Sequence, residues 1–165
     1  MSSVDGLQIT SIVARRGAAD EVVERLRVRL GIAAPRGPRR AWADGVALLG
    51  VGPNRWLAIA DAGFPSLSAS LALDLTGLAS VCDQGDGYVV FSIEGFAARD
   101  VLARGVPIDL HPAAFGLESV GVTQVAHMGA ILWQTASAYH IAVLRSHRAS
   151  FWRWLMESAA EPLAS

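Results

Sequence analysis

The amino-acid sequence predicts an α+β fold in which helices pack on mostly antiparallel strands. Two observations support this prediction: short apolar segments come in pairs joined by turn residues, and helix-like segments lie between those pairs. The two halves of the chain, about residues 7–84 and 87–160, resemble each other weakly in this order, without a repeat of fixed period. A chain of 165 residues can bury its own core, so we expect a single domain, 1–165, built from these two halves.

The first half is predicted to begin with a β-branched strand at residues 8–14. The helix that follows has apolar residues at helical spacing and ends at Gly31, a residue suited to a left-handed C-cap. Two prolines, a glycine and three arginines indicate a loop at residues 33–42. Two apolar runs, 46–50 and 56–60, flank a Gly-Pro-Asn-Arg turn and indicate a hairpin. A helix and a short strand complete this half, at residues 67–78 and 80–83.

The second half is predicted to begin with a strand at residues 88–93 that is apolar at nearly every position, which is typical of burial on both faces. A short helix at residues 95–104 is capped by Gly105 and ended by Pro107. Ser146 is a suitable N-cap for a last helix. Three strands lie between these helices, at residues 123–127, 130–135 and 139–145, with tight connections at residues 128–129 and 136–138.

Composition and charge exclude several classes of function. The net charge is −1 and the pI about 6.4, which disfavours general binding to nucleic acid. All 14 basic residues are arginine, so a Schiff-base lysine and a P-loop lysine are absent. Cys82 is the only cysteine, which excludes an intrachain disulfide, and we interpret it as a buried small hydrophobe. Neither a signal peptide nor a long apolar span is visible, so we expect a cytoplasmic protein that binds no membrane.

The charged fraction, 18%, is low beside a hydrophobic fraction of 52%. Average chains carry about 25% charged residues. Richness in alanine and leucine is one explanation, and burial of apolar surface against partner subunits is the other.

Three patterns partly match known ligand sites, but each lacks a feature that the site requires. Residues 83–87 resemble a calcium loop, but glycine stands where oxygen ligands are needed, so we interpret them as a turn. Residues 50–52 begin like a dinucleotide fingerprint, but Pro53 follows and no helix begins there. The histidines lack the spacing of a helical metal site, although His127 and His140 could face each other across strands.

Asp109 and His111 alternate on a predicted extended segment and therefore point to the same side. Such a pair could act as a general base. Because no nucleophile motif such as G-x-S-x-G accompanies it, we favour a structural role. The sequence thus predicts no catalytic, cofactor-binding or metal-binding residue in this chain.

The last helix predicts a contact with a partner. Trp152 and Trp154 are two residues apart and point about 200° apart around a helix. Trp154 shares a stripe with Phe151 and Leu155, which predicts that it packs on the sheet. Trp152 then points outward together with Met156, and we expect these two residues to form a partner interface, because tryptophan is a frequent interface anchor.

Three stretches carry a resemblance to a known family. They are Gly-Pro-Asn-Arg-Trp-Leu at residues 52–57, Phe-Ser-Ile-Glu-Gly-Phe-Ala-Ala-Arg-Asp-Val-Leu-Ala-Arg-Gly at residues 91–105, and Pro-Ile-Asp-Leu-His-Pro-Ala-Ala-Phe at residues 107–115. Together with Ala-Ile-Leu-Trp at residues 130–133 and Trp-Arg-Trp-Leu at residues 152–155, they make the chain similar to gamma subunits of heterotetrameric sarcosine oxidases. The Asp-Leu-His-Pro run is the most specific part.

This resemblance implies a fold of two interlocked halves, like the folate-binding fold of the glycine-cleavage T-protein. It also implies partners, namely alpha, beta and delta subunits. The complex is an oxidoreductase acting on CH–NH bonds: it demethylates sarcosine to glycine, releases hydrogen peroxide and passes the one-carbon unit to tetrahydrofolate. FAD, FMN and NAD are expected in the larger subunits and no cofactor in this chain, because the family's gamma subunit has no known catalytic residue.

Two other hypotheses remain beside a non-catalytic subunit. A free-standing folate-binding or one-carbon-transfer protein would need an acid to hold a pterin, and Asp83, Asp86 and Asp109 are the candidates. A regulatory module with a small-molecule pocket is the third hypothesis. Titration of the isolated chain with folate distinguishes the folate-binding hypothesis from the other two.

Overall fold

The computed structural model describes residues 1–4 and 6–161, which form two compact units. The N-terminal unit contains residues 6–86, and the C-terminal unit combines residues 1–4 with residues 87–161. The chain therefore starts in one unit, forms the other completely and then returns. Each unit contains a five-stranded antiparallel sheet and two α-helices, so the predicted α+β class is confirmed.

The N-terminal unit has the strand order β3-β4-β5-β2-β6. Helix α1 ends as predicted, because Gly31 adopts a left-handed conformation (φ 68°) and its N–H bonds to the Arg27 carbonyl. Val22, Leu26 and Leu30 of this helix are buried, in agreement with the apolar spacing. The elements are β2 (Gln8–Ala14), α1 (Ala19–Leu30), β3 (Arg40–Ala43), β4 (Val46–Gly52), β5 (Arg55–Ala60), α2 (Leu67–Asp74) and β6 (Ala79–Asp83).

Two predicted boundaries in this unit are wrong. The loop at residues 33–42 ends earlier, because Arg40–Ala43 forms the edge strand β3 on β4. The pairing is local, through a two-residue turn in which Asp44 and Gly45 both have positive φ, but the Pro-Gly-Arg composition of the preceding residues favoured a loop. Helix α2 ends at Asp74 rather than at residue 78, since Gly77 has a φ of 80° that a helix cannot continue through.

The C-terminal unit has the strand order β1-β7-β10-β9-β8. Strand β7 lies between two neighbours and has five consecutive buried residues, which confirms the prediction of a strand buried on both faces. The elements are β1 (Ser2–Val4), β7 (Tyr88–Glu94), α3 (Ala98–Ala103), β8 (Val120–Val125), β9 (Met128–Gln134), β10 (Ala138–Leu144), a 3₁₀ turn (Arg145–His147) and α4 (Arg148–Ala160).

The hairpin between β8 and β9 turns earlier than predicted. Its turn consists of Ala126 and His127, with φ of 47° and 68°, while Met128 and Gly129 already pair with β8. Two consecutive positive φ angles suit the twist of a two-residue hairpin, but glycine or asparagine usually supplies them. Ser146 is likewise not the N-cap of α4, because a 3₁₀ turn intervenes and no side-chain capping bond forms at His147.

Candidate functional site

Helix α4 presents two faces, and the structure confirms how they are rotated. Phe151 and Leu155 are fully buried in the core of the C-terminal unit, and Trp154 packs against that core. Trp152 and Met156 lie on the other side, and each is 38% exposed. The predicted assignment of Trp154 to the core and Trp152 to the outer face therefore holds. Whether this outer face, which we call the Trp152–Met156 face, binds a partner stays a prediction.

Trp154 is held by close packing on two sides. Its ring centroid lies 5.6 Å from that of Phe151. On the other side it covers Gly105, where a Cβ atom would stand only 2.5 Å from the Trp154 Cζ2 atom. Gly105 follows α3, so this contact joins the two helices of the C-terminal unit.

Trp152 is only partly free. Its ring stacks on the buried Phe91 of β7, with centroids 6.0 Å apart and planes inclined by 22°. Phe91 in turn touches Phe151, with a centroid distance of 4.7 Å. The Trp152 ring is therefore oriented by the core while part of it stays accessible, an arrangement that spares a docking tryptophan the entropy of being ordered on binding.

The Trp152 ring also forms one wall of a cavity of about 460 Å³ at the start of α4. Phe91 contributes the apolar floor, and the polar lining comes from Ser3, Arg145, Ser146 and Arg148. Arg145 is held by the Tyr88 carbonyl, which accepts a bond of 3.2 Å from its guanidinium. This cavity thus combines aromatic surface with cationic and hydroxyl groups.

Asp109 and His111 do not form an acid–base pair in the structure. The Asp109 carboxylate accepts a bond of 2.8 Å from the backbone N–H of His111. His111 Nδ1 accepts one of 3.2 Å from the N–H of Ala113. Both side chains thus stabilise the turn that follows, as the structural interpretation of this motif proposed.

The remaining sequence candidates are also dispersed. His127 lies in the β8–β9 turn, whereas His140 stacks on Trp133 at 5.4 Å, so the two histidines do not face each other across strands. Cys82 is exposed, which contradicts its prediction as a buried residue, because it lies on the face of β6 opposite that of Val81, which packs against the core. Among residues 1–4 and 6–161, no three His, Cys, Asp or Glu side chains form a metal-binding group.

Tyr139 is the partly buried phenol of β10. Burial raises the pKa of Tyr139 above its ordinary value, and the charge of Arg99 acts in the opposite direction. The phenol is therefore neutral at pH 7 and does not supply a general base there.

The residues proposed for folate do not fit a pterin. Asp83 is exposed and accepts bonds from the Gly85 N–H and the Ser68 hydroxyl, while Asp86 and Asp109 are exposed as well. A pterin site needs a carboxylate in a sheltered cavity, and none of the three acids lines the cavity beside Trp152.

The glycine pair of residues 50–52 does not fit a dinucleotide either. It lies in the β4–β5 hairpin and opens no helix that could offer its N-terminus to a pyrophosphate. Gly50 has a packing role instead, because the Gly37 carbonyl occupies the space of its missing Cβ. The absence of cofactors from this chain stays a prediction.

Sequence reasoning missed one prominent residue. Phe96 is 96% exposed, although its position at the start of a predicted helix suggested no special role. It follows Gly95, whose φ of 102° ends β7 and turns the chain outward. The sequence shows only a phenylalanine after a glycine. Its exposure could not be predicted without knowing that α3 begins at Ala98 rather than at residue 95.

Comparison of the whole chain with solved structures first defines its fold class. It resembles glycine cleavage system aminomethyltransferase T from Bartonella henselae with a TM-score of 0.68, over 93% of this chain and 44% of that chain, at 14% identity. The match to heterotetrameric sarcosine oxidase from Corynebacterium sp. U-96, in complex with pyrrole 2-carboxylate, reaches a TM-score of 0.86 at 25% identity and covers 99% of this chain and 84% of that chain. The fold is thus of the type shared by these two proteins.

The family follows from the sequence comparisons. The model of the sarcosine oxidase gamma subunit family matches residues 15–161, so the chain belongs to this family. Sarcosine oxidase subunit gamma from Corynebacterium sp. strain P-1 is 33% identical over 131 residues, which are 73% of this chain and 62% of that protein. The same subunit from an Arthrobacter species is 38% identical over 94 residues, 56% of this chain and 46% of that protein. These matches confirm the resemblance seen in the sequence.

The chain spans between about half and two thirds of the length of these curated relatives. In the part of the chain that the structure describes, no helix is both long enough and apolar enough to span a membrane.

Proposed function

We propose that this chain is the gamma subunit of a heterotetrameric sarcosine oxidase and assembles with alpha, beta and delta subunits. The complex oxidatively demethylates sarcosine to glycine, releases hydrogen peroxide and transfers the one-carbon unit to tetrahydrofolate. FAD, FMN, NAD and the folate belong to the larger subunits, and the complex works in the cytoplasm. Membership of the gamma subunit family supports this proposal.

Within the complex, the role of this chain is structural. The candidate acids and histidines are engaged in local contacts: Asp83 and Asp109 accept bonds from nearby N–H groups, and His140 stacks on Trp133. In contrast, the Trp152–Met156 face leaves apolar surface on the outside of a helix whose other face is already packed. The half-exposed Trp152, oriented by Phe91, is the single observation that carries this assignment.

Co-expression with the other three subunits tests the proposal. The wild-type chain is expected to co-purify with them in a complex that oxidises sarcosine. Trp152→Ala is expected to weaken association about thirtyfold, the equivalent of about 2 kcal/mol for loss of an interface tryptophan. Arg153→Ala is the matched control, because Arg153 is an exposed residue of the same helix.

Three results would contradict the assignment. A wild-type chain that fails to join the other subunits is not a gamma subunit. Equal association of Trp152→Ala and Arg153→Ala removes the Trp152–Met156 face from the interface. Tight binding of tetrahydrofolate to the isolated chain supports a free-standing folate-binding protein instead.

A further inference from the structure

We propose that the cavity beside Trp152 receives a carboxylate-bearing segment of a larger subunit, in which an Asp or Glu side chain is followed by an apolar one. This inference rests on the proposed function, since it assumes that a partner covers the Trp152–Met156 face. It adds the chemistry of the partner segment and the residue that recognises it, Arg148.

The charge of the cavity selects an anion. Among residues 1–4 and 6–161, its lining includes Arg145 and Arg148 together with the hydroxyl groups of Ser3 and Ser146, and no carboxylate. Arg145 is already bonded to the Tyr88 carbonyl. Arg148 is exposed, and its side chain forms no hydrogen bond or ion pair with the residues that the structure describes. Arg148 is therefore the cation available to a ligand, and a guanidinium binds a carboxylate through two parallel hydrogen bonds.

The shape of the cavity selects an apolar neighbour for that anion. Trp152 forms one wall and Phe91 the floor, and their rings are stacked. A volume of about 460 Å³ lies in the range of pockets that enclose a small ligand or a few side chains. A carboxylate at Arg148 thus places the following apolar side chain against the Trp152 ring.

Desolvation is the argument for a protein segment as the occupant. A partner that covers Trp152 also removes water from Arg148, since both residues line the same cavity. Taking an arginine out of water is costly unless a counter-charge accompanies it. A partner that docks on the Trp152–Met156 face must therefore supply an acidic group at the cavity.

Charge reversal at Arg148 tests this inference. The affinity of the chain for the complex of the other subunits is measured at low and at high salt, with far-UV circular dichroism as the check on folding. Arg148→Glu is expected to weaken association at least tenfold at low salt, and Arg148→Lys to weaken it less, because lysine keeps the charge but loses the two-pronged geometry. The wild type is expected to lose affinity as salt rises, and Arg148→Glu to lose much less.

Arg153→Glu is the matched control. It introduces the same charge change on the same helix, about 140° around from Arg148, at a residue that does not line the cavity. Its expected effect is less than twofold. Equal losses for both charge reversals overturn the inference, as does a folded Arg148→Glu chain with wild-type affinity. In either case the wild-type chain still assembles, which distinguishes this failure from a failure of the proposed function, where the wild type does not assemble.

Discussion

The contact between Gly105 and Trp154 can be tested by adding a single methyl group. An alanine Cβ at position 105 would stand 2.5 Å from Cζ2 and 2.9 Å from Cε2 of the Trp154 ring. Carbon atoms in contact normally stand about 3.5 to 4.0 Å apart, so the ring must move by about 1 Å. Phe151 packs on Trp154 and opposes this movement. The backbone at Gly105 does not adopt a positive φ, so alanine is unfavourable there only for lack of space.

The expected magnitudes follow from this geometry. Overpacking of a core costs about 1 to 3 kcal/mol, so Gly105→Ala is expected to destabilise the C-terminal unit by about 2 kcal/mol. For a chain of this size, each kcal/mol lowers the Tm by about 2 to 4 °C, which gives a decrease of about 4 to 8 °C. In a Trp154→Ala background the methyl group enters vacated space, and Gly105→Ala is expected to change stability by less than about 0.5 kcal/mol. The coupling energy of the pair is then about 2 kcal/mol.

The assay is a double-mutant cycle measured by calorimetric unfolding of the four chains. Gly116→Ala serves as the control, because no atom lies within 4 Å of its Cβ position and its φ is not positive. It is expected to be neutral or slightly stabilising. If Gly105→Ala costs the same with and without the Trp154 ring, the clash does not exist and the packing of α3 on α4 described here is wrong.

Three other predictions concern the candidate site and its chemistry. Trp154→Ala is expected to lower the Tm by about 5 to 10 °C, because removal of a half-buried tryptophan lowers the free energy of unfolding by less than the 3 to 5 kcal/mol of a fully buried one. Trp152→Ala is expected to lower the Tm by less than about 4 °C, and the opposite order in a thermal melt contradicts the rotation of α4. Asp109→Ala and His111→Ala are expected to lower stability by about 1 kcal/mol each through lost turn bonds, while the assembled complex keeps its turnover; a thousandfold loss of turnover in an intact complex makes these residues catalytic. The purified chain alone is expected to be colourless, and a flavin spectrum that survives gel filtration contradicts this.

Local sequence patterns predicted the helices in which the spacing of apolar residues indicates the buried face. The apolar stripe of α1 predicted the burial of Val22, Leu26 and Leu30, and the spacing of α4 predicted the opposite faces of Trp152 and Trp154. In both helices the periodicity alone indicates the buried face, and tertiary packing agrees with it. The position of the β8–β9 turn was predicted wrongly because its residue types are unusual. Ala126 and His127 adopt positive φ angles that their side chains disfavour, and the turn was predicted at the nearby Gly129 instead.

Two local signals were overlooked. Asp44-Gly45 is typical of the two-residue turn that joins β3 to β4, and strand alternation places Cys82 on the face opposite that of Val81, which packs against the core. Nonlocal contacts, in contrast, could not be predicted from spacing. Helical spacing placed Trp152 on the outer face, but the stacking on Phe91 joins residues 61 positions apart, which no pattern of spacing encodes.

This nonlocal contact changes what Trp152 can do. A freely exposed tryptophan would have to be ordered when a partner binds, which costs about 0.5 to 1.5 kcal/mol for a mobile side chain. Stacking on Phe91 orders the ring in advance, and the same ring borders the cavity that contains Arg148. Hence the two experiments on this face are coupled: if the ring and the guanidinium bind one partner segment, Trp152→Ala and Arg148→Glu must be less than additive in their effect on affinity. Full additivity places the two residues in independent contacts and separates the Trp152–Met156 face from the cavity.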